Sequence, residues 1–133
     1  MSTAKAGRLL IADDDPNLLV VYVVFFEAYG YAIQTATNGL DALAAYRAWR
    51  PHIVMLDIEM PHMDGRAVAR EIRRINIVCS PLLLAVTALS TPIDRAESLK
   101  AGFDDHFVKP AQLPAILAVM ASHEGRCPLS ASC

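Results

Sequence analysis

Three charged signals each follow an apolar run, and their types and spacing are what could do chemistry in this chain. Asp13-Asp14-Asp15 follows Leu9-Leu10-Ile11-Ala12, Asp57 follows Ile53-Val54-Met55-Leu56, and Lys109-Pro110 follows Phe107-Val108. Open parallel sheets bind ligands outside the carboxyl ends of their strands, which is where charges placed directly after strand-like runs fall. Carboxylates gathered at one edge oppose one another's ionisation unless a cation lies among them. The pattern therefore points to a divalent-metal site, with a lysine close by to balance added negative charge.

Positioning such a site takes strands alternating with helices, and the chain reads that way from end to end. Strands are predicted at Arg8–Ala12, Tyr31–Ala36, Ile53–Leu56, Leu82–Val86 and Phe103–Val108. Helices are predicted at Pro16–Tyr29, Leu40–Trp49, Arg66–Ile75, Pro92–Lys100 and Leu113–His123. Asp15 is placed to cap the first helix, Pro16 suits its first turn and Gly30 its end. At 100° per residue, Leu18, Val21, Tyr22, Phe25 and Tyr29 form its sheet-facing stripe, leaving Val20, Val23 and Glu27 outward. Outward valines are costly for a solvated helix, so this face is expected to meet a protein. The candidate occupants are a phosphodonor protein, a second copy of the chain (a homodimer) or a neighbouring domain. Arg66, Arg70, Arg73 and Arg74 read as a solvated face, and His52, His62 and His123 as surface residues with no metal spacing.

The 133 residues suffice for one domain with a sizeable core, and 54% apolar with 20% charged residues places the chain among globular proteins. A net charge of −2 gives no electrostatic case for nucleic acid. The longest apolar run, Leu18 to Phe26, is about half of the ~20 residues needed to cross a bilayer, so no membrane association is expected. Cys79, Cys127 and Cys133 share no ligand spacing; an odd number of thiols fits a reduced, cytoplasmic setting. One unit is expected over 8–124, with flexible tails at 1–7 and 125–133.

Four motifs in order then carry a resemblance. They are Ile11-Ala12-Asp13-Asp14-Asp15-Pro16, Met55-Leu56-Asp57-Ile58-Glu59-Met60-Pro61-His62-Met63-Asp64-Gly65, Val86-Thr87-Ala88, and Ala101-Gly102-Phe103-Asp104-Asp105-His106-Phe107-Val108-Lys109-Pro110. Over about Arg8 to His123 the chain resembles the receiver domains of two-component response regulators. The resemblance implies an α/β, flavodoxin-like three-layer sandwich whose five-stranded parallel sheet has the order 2-1-3-4-5, as in chemotaxis regulators.

It also implies a signalling module rather than a turnover enzyme. Asp57 would accept a phosphoryl group from the phosphohistidine of a histidine kinase or phosphotransfer protein. Asp13, Asp14, Asp57 and the backbone carbonyl of Glu59 would hold Mg²⁺. Lys109 would pair with a phosphoryl oxygen, Thr87 would donate its hydroxyl to another, and small Ala88 would leave room for that approach. His106 stands where the family more often has Tyr or Phe and would take part in the switch toward a downstream protein target. The Lys109-Pro110 bond would be cis. Two other readings remain open on sequence alone. The chain could be a receiver excised from a hybrid histidine kinase or longer regulator, since Gly102-Phe103-Asp104-Asp105-His106 is similar to receivers in that setting. It could also be a haloacid-dehalogenase-type phosphatase, whose nucleophile would then be Asp13.

Overall fold

The computed structural model describes residues 7–76 and 80–123. Strands β1 (Gly7–Ala12), β2 (Tyr31–Ala36), β3 (Ile53–Leu56), β4 (Leu82–Thr87) and β5 (Asp105–Val108) alternate with helices α1 (Pro16–Glu27), α2 (Gly39–Trp49), α3 (Gly65–Ile75), α4 (Pro92–Ala101) and α5 (Leu113–His123). All neighbours pair in parallel, and the order is β2-β1-β3-β4-β5. The three layers follow from side-chain alternation along buried strands. Leu10, Val54, Leu56 and Leu83 point to the face covered by α2 and α3, against Leu43, Val68 and Ile72. Leu9, Ile11, Met55, Leu84 and Val86 point the other way, against Leu19, Tyr22 and Phe26 of α1 and Ile116 and Met120 of α5.

Helix ends follow local chemistry. The Asp15 carboxylate accepts from the backbone N–H groups of Asn17 and Leu18, as expected of an N-cap. Asp64 caps α3, and Thr91 with Asp94 forms a reciprocal capping box on α4. Gly102, at φ 119°, ends α4 in the left-handed region.

Several expectations are corrected. Helix α1 turns a different stripe inward: Leu19, Tyr22 and Phe26 are buried, whereas Val21 and Tyr29 are exposed. A helix apolar all round carries no phase of its own, so packing against β1 and β2 chooses it. The outward valines are Val20, Val21 and Val24, while Val23 is half-buried. The helix also stops at Glu27 rather than Tyr29. Strand β5 begins at Asp105, not Phe103. Asp104 takes up the edge itself, donating its N–H to the Leu83 carbonyl and accepting the Leu83 N–H on its carboxylate. His123 is buried rather than on the surface. The proposed 125–133 tail, Cys79 and all but Gly7 of the proposed 1–7 tail lie outside the described residues; Gly7 itself opens β1.

The arginines of α3 divide. Arg70 and Arg74 are exposed, but Arg66 donates to the Asp94 carbonyl of α4 at 2.9 Å. Arg73 is a three-way tie, its Nε and two terminal nitrogens reaching the Gly102 carbonyl, the Pro81 carbonyl and the Asp104 carboxylate, each at 2.8 Å. A planar guanidinium suits such a fork, which fastens α3 to the α4–β5 connection and to the entry of β4. Arg73→Ala is expected to lower the unfolding free energy by about 2 kcal/mol, and exposed Arg70→Ala by less than about 0.5 kcal/mol, both read from urea unfolding at pH 7.

Candidate functional site

Register builds the site. Strand β1 pairs with β3 so that Ala12 stands opposite Leu56, and the next residues, Asp13 and Asp57, leave the sheet side by side. The ladder runs one step further on each side: Asp57 N–H donates to the Ala12 carbonyl at 2.9 Å and Asp13 N–H to the Ala36 carbonyl at 3.1 Å. On the far side, Thr87 pairs with Val108, and Lys109 N–H donates to the Thr87 carbonyl at 2.8 Å. The apolar runs thus end at one edge and deliver their charged residues there.

Asp13 and Asp57 are only 1% and 6% exposed. Burying carboxylates this deeply is costly without compensation. The compensation is Lys109, whose Nζ lies 2.7 Å from Asp13 Oδ2 and 2.9 Å from Asp57 Oδ2. Burial works to lower the Lys109 pKa, but the hydrogen bonds and charges of the two carboxylates outweigh it and hold the group above its ordinary value. A folded-state pKa raised in this way means that the interaction contributes fully at neutral pH and is lost only as alkaline pH rises through the folded value.

The remaining oxygens are also engaged. Asp13 Oδ1 accepts the Asp15 N–H at 2.9 Å, and Asp57 Oδ1 accepts the Glu59 N–H at 3.3 Å. Asp14 is exposed beside them, and one carboxylate oxygen from each of Asp13, Asp14 and Asp57 lies within 4.8 Å of the others. Three hard oxygen donors, one open to solvent, fit a small divalent cation such as Mg²⁺. The fit is also electrostatic, since the lysine already shows that this spot holds positive charge.

Of the other residues singled out, Glu59 is exposed in the turn after Asp57, with its backbone against the Asp57 carboxylate. Thr87 is fully buried at the end of β4, where its hydroxyl oxygen accepts the Leu89 N–H at 3.3 Å; Ala88, between them, is exposed. The Lys109–Pro110 bond is cis, as expected. His106, 4% exposed, lies beyond this edge with its ring between Ser98 and Leu89.

Sequence reasoning missed three residues. Gly65 passes so close to the Asp57 backbone that a Cβ there would collide with the Asp57 carbonyl oxygen, and its N–H donates to the Ile58 carbonyl at 2.8 Å. A Gly directly after the Asp64 cap was the available signal. Tyr22 packs from α1 against the same charges, and burial above all pushes its phenol up to about 12. Ser98, buried in α4, had no signal at all.

The chain matches the family model of the response regulator receiver domain over residues 9–121. A probable transcriptional regulator, ycf27 of Pyropia yezoensis, is 36% identical over 103 residues, 77% of this chain and 41% of the relative. The DNA-binding dual master transcriptional regulator RpaA of Synechocystis is 32% identical over 111 residues, 84% of this chain and 46% of the relative. This chain therefore spans less than half the length of these relatives. The receiver domain of the Francisella response regulator 1452 superposes with a TM-score of 0.83 at 26% identity, covering 90% of this chain and 98% of that one. The receiver domain of sensor histidine kinase PA1611 from Pseudomonas aeruginosa, solved with magnesium in its active site cleft, gives a TM-score of 0.81 at 24% identity, covering 92% and 99%. At that identity the second likeness speaks for the fold alone.

These relatives correct one expectation. The name of the Synechocystis protein includes DNA binding, so the absence of a nucleic-acid partner is not supported; the net charge bears on this domain and not on what a longer chain carries. No described helix is long and apolar enough to cross a membrane. The phosphatase alternative gives way as well, because the match runs from the first strand into the last helix on the strand order the motifs implied. The chain belongs to the response regulator receiver domain family of two-component signalling.

Proposed function

We propose that this domain is a Mg²⁺-dependent phosphoacceptor in which Asp57 takes a phosphoryl group from a phosphohistidine. The observation that carries this reading is the buried Asp13–Lys109–Asp57 arrangement beside exposed Asp14. An Asp57 oxygen attacks phosphorus as the bond from phosphorus to the imidazole nitrogen of the donor breaks, leaving an acyl phosphate and a free imidazole. Asp13, Asp14, Asp57 and the Glu59 carbonyl would hold Mg²⁺, which would supply neutralisation of charge on the phosphoryl oxygens.

The chain's own residues do the rest. The Glu59 N–H holds one Asp57 oxygen and so orients the other. Lys109 leaves its carboxylate partners to pair with a phosphoryl oxygen, an exchange of one anion for another at the same ammonium. Thr87, whose oxygen already accepts from Leu89, keeps its hydroxyl proton to donate to a second phosphoryl oxygen. Ala88 leaves the approach open. The outcome is a changed surface toward a partner or output domain, with the receiver unit at 8–124 and its work in the cytoplasm, where a kinase's phosphohistidine is met.

The phosphodonor's docking surface is the outer face of α1. Val20 and Val24 are 61% and 66% exposed. Beside them, Leu18, Val21, Tyr22, Pro110 and Leu113 line an apolar groove of about 340 Å³ together with the site lysine. A helical donor seated there brings its histidine to the carboxyl edge.

Three outcomes are expected. Asp57→Asn abolishes labelling by acetyl phosphate and Mg²⁺, as read by intact-protein mass; undiminished labelling would refute the assignment. Lys109→Met leaves two buried carboxylates without their cation and costs about 2 kcal/mol in urea unfolding, part of it restored by millimolar Mg²⁺. Val20→Glu with Val24→Arg slows transfer from a phosphorylated histidine phosphotransfer protein about tenfold or more while leaving acetyl phosphate labelling unchanged. Equal slowing with both donors would remove the docking role.

A further inference from the structure

The turn that follows Asp57 is braced from outside the site, by a residue of α2. Ile58 and Met60, 3% and 8% exposed, sink into the core on the α2–α3 side, and Glu59 is held out between them. The Ile58 carbonyl accepts two N–H groups, that of Met60 at 3.1 Å and that of Gly65 at 2.8 Å. The Pro61 carbonyl accepts the Met63 N–H at 2.8 Å, which closes a three-residue turn about His62, whose φ is 71°. A γ-turn with positive φ is rare and strained, above all for a residue other than glycine. Such strain persists only where the surroundings enforce it.

The enforcing neighbour is Gly39, the first residue of α2. It is buried, and a Cβ on it would collide with the Met63 carbonyl oxygen while lying 2.6 Å from the carbonyl carbon and 2.8 Å from Met63 Cβ. Its N–H points to the Pro61 carbonyl at a long 3.5 Å. The bare Cα of Gly39 is therefore a stop on which both ends of the strained turn rest. The same connection touches the other buried carboxylate, because Ala36, just before it, accepts the Asp13 N–H at 3.1 Å. The ring of Pro61 fixes its own φ, and the γ-turn is already closed, so Met63 has no slack in which to retreat. A push on Met63 travels back to Glu59, whose N–H holds Asp57 Oδ1 at 3.3 Å.

We propose that Gly39 is a positioning residue for the phosphoacceptor site, a steric stop that sets the place of Glu59 and, through it, of the Asp57 carboxylate. The inference rests on the phosphoacceptor reading and adds to it a residue that touches no reacting atom. The Glu59 peptide serves the site twice, its N–H orienting Asp57 and its carbonyl offered to Mg²⁺. A displacement of a few tenths of an ångström there spoils both, because Mg²⁺ demands near-ideal octahedral geometry.

The test uses the full chain, ¹⁵N-labelled, with Mg²⁺ followed through the Ile58 and Glu59 amides and acetyl phosphate labelling of Asp57 followed by mass. Gly39→Ala moves the Glu59 amide before any metal is added, and it raises the Mg²⁺ dissociation constant and slows labelling by about tenfold each. Ala44→Gly, at an exposed position of the same helix, lowers the urea midpoint but keeps Mg²⁺ affinity within about twofold of wild type. His62→Gly gives the turn freedom to yield, and combined with Gly39→Ala it restores affinity to within about threefold of wild type. Wild-type Glu59 shift and Mg²⁺ affinity in Gly39→Ala overturn the proposal. An equal loss of affinity in Ala44→Gly, or a double variant no better than Gly39→Ala, overturns it as well. Should Gly39→Ala fail to fold, the wild type decides: amide exchange at Gly39 and Met63 slows when Mg²⁺ binds, and unchanged exchange there overturns the stop. Wild type with neither a Mg²⁺ response at Glu59 nor a label on Asp57 defeats the phosphoacceptor reading and the stop together. A responsive wild type matched by an equally responsive Gly39→Ala defeats the stop alone.

Discussion

A single ammonium group between two buried carboxylates is the constraint around which this domain is organised. Asp13 and Asp57 leave adjacent strands at equivalent positions, so the register of β1 on β3 brings two negative charges together where little water reaches them. Such an arrangement is unfavourable in isolation, and Lys109, arriving from the opposite side of the sheet, offsets it. The pairing also fixes both carboxylates in place. One Asp57 oxygen is held by the Glu59 N–H, and the other rests on the lysine.

The rest of the fold serves that edge. The buried strands contribute little but apolar bulk, which makes the sheet rigid and ends each strand abruptly at a polar residue. The α2–α3 face supports the Asp57 turn through Gly65, whose missing Cβ allows the close passage that side chains would block. The opposite face is thinner in function: α1 and α5 bury Leu19, Tyr22, Phe26, Ile116 and Met120 but leave an apolar groove open beside Lys109. Helix α4 stands apart from both, tied by Arg66, Arg95 and Ser98 rather than embedded.

Much of this was legible in the residues, and the exceptions share a cause. Strand positions were readable because each apolar run ends in a charge or a turn residue. The cap of α1 was readable because Asp15 has a short side chain that reaches the N–H groups two and three residues on. The phase of α1 was not readable, since Leu18 to Phe26 is apolar on every side and only the sheet decides which stripe is buried. Arg73 looked like its neighbours Arg70 and Arg74, and became a tie only because Gly102, Pro81 and Asp104 converge on it from distant parts of the chain. Asp104 looked like the second residue of a strand, and its carboxylate instead took over a strand's hydrogen bond.

Sequence alone determined which groups could react, because chemistry follows residue type and because charges directly after apolar runs fall at a sheet's carboxyl edge. It determined the alternation of strands and helices for the same local reason. Tertiary structure decided which charges meet: Lys109 is 52 residues from Asp57 and yet 2.9 Å away, a distance set by strand order and register. It also decided that His106 lies inward between Ser98 and Leu89, and that α4 lacks an apolar anchor. Such facts depend on which neighbours packing supplies, and no residue carries its neighbours in its own type.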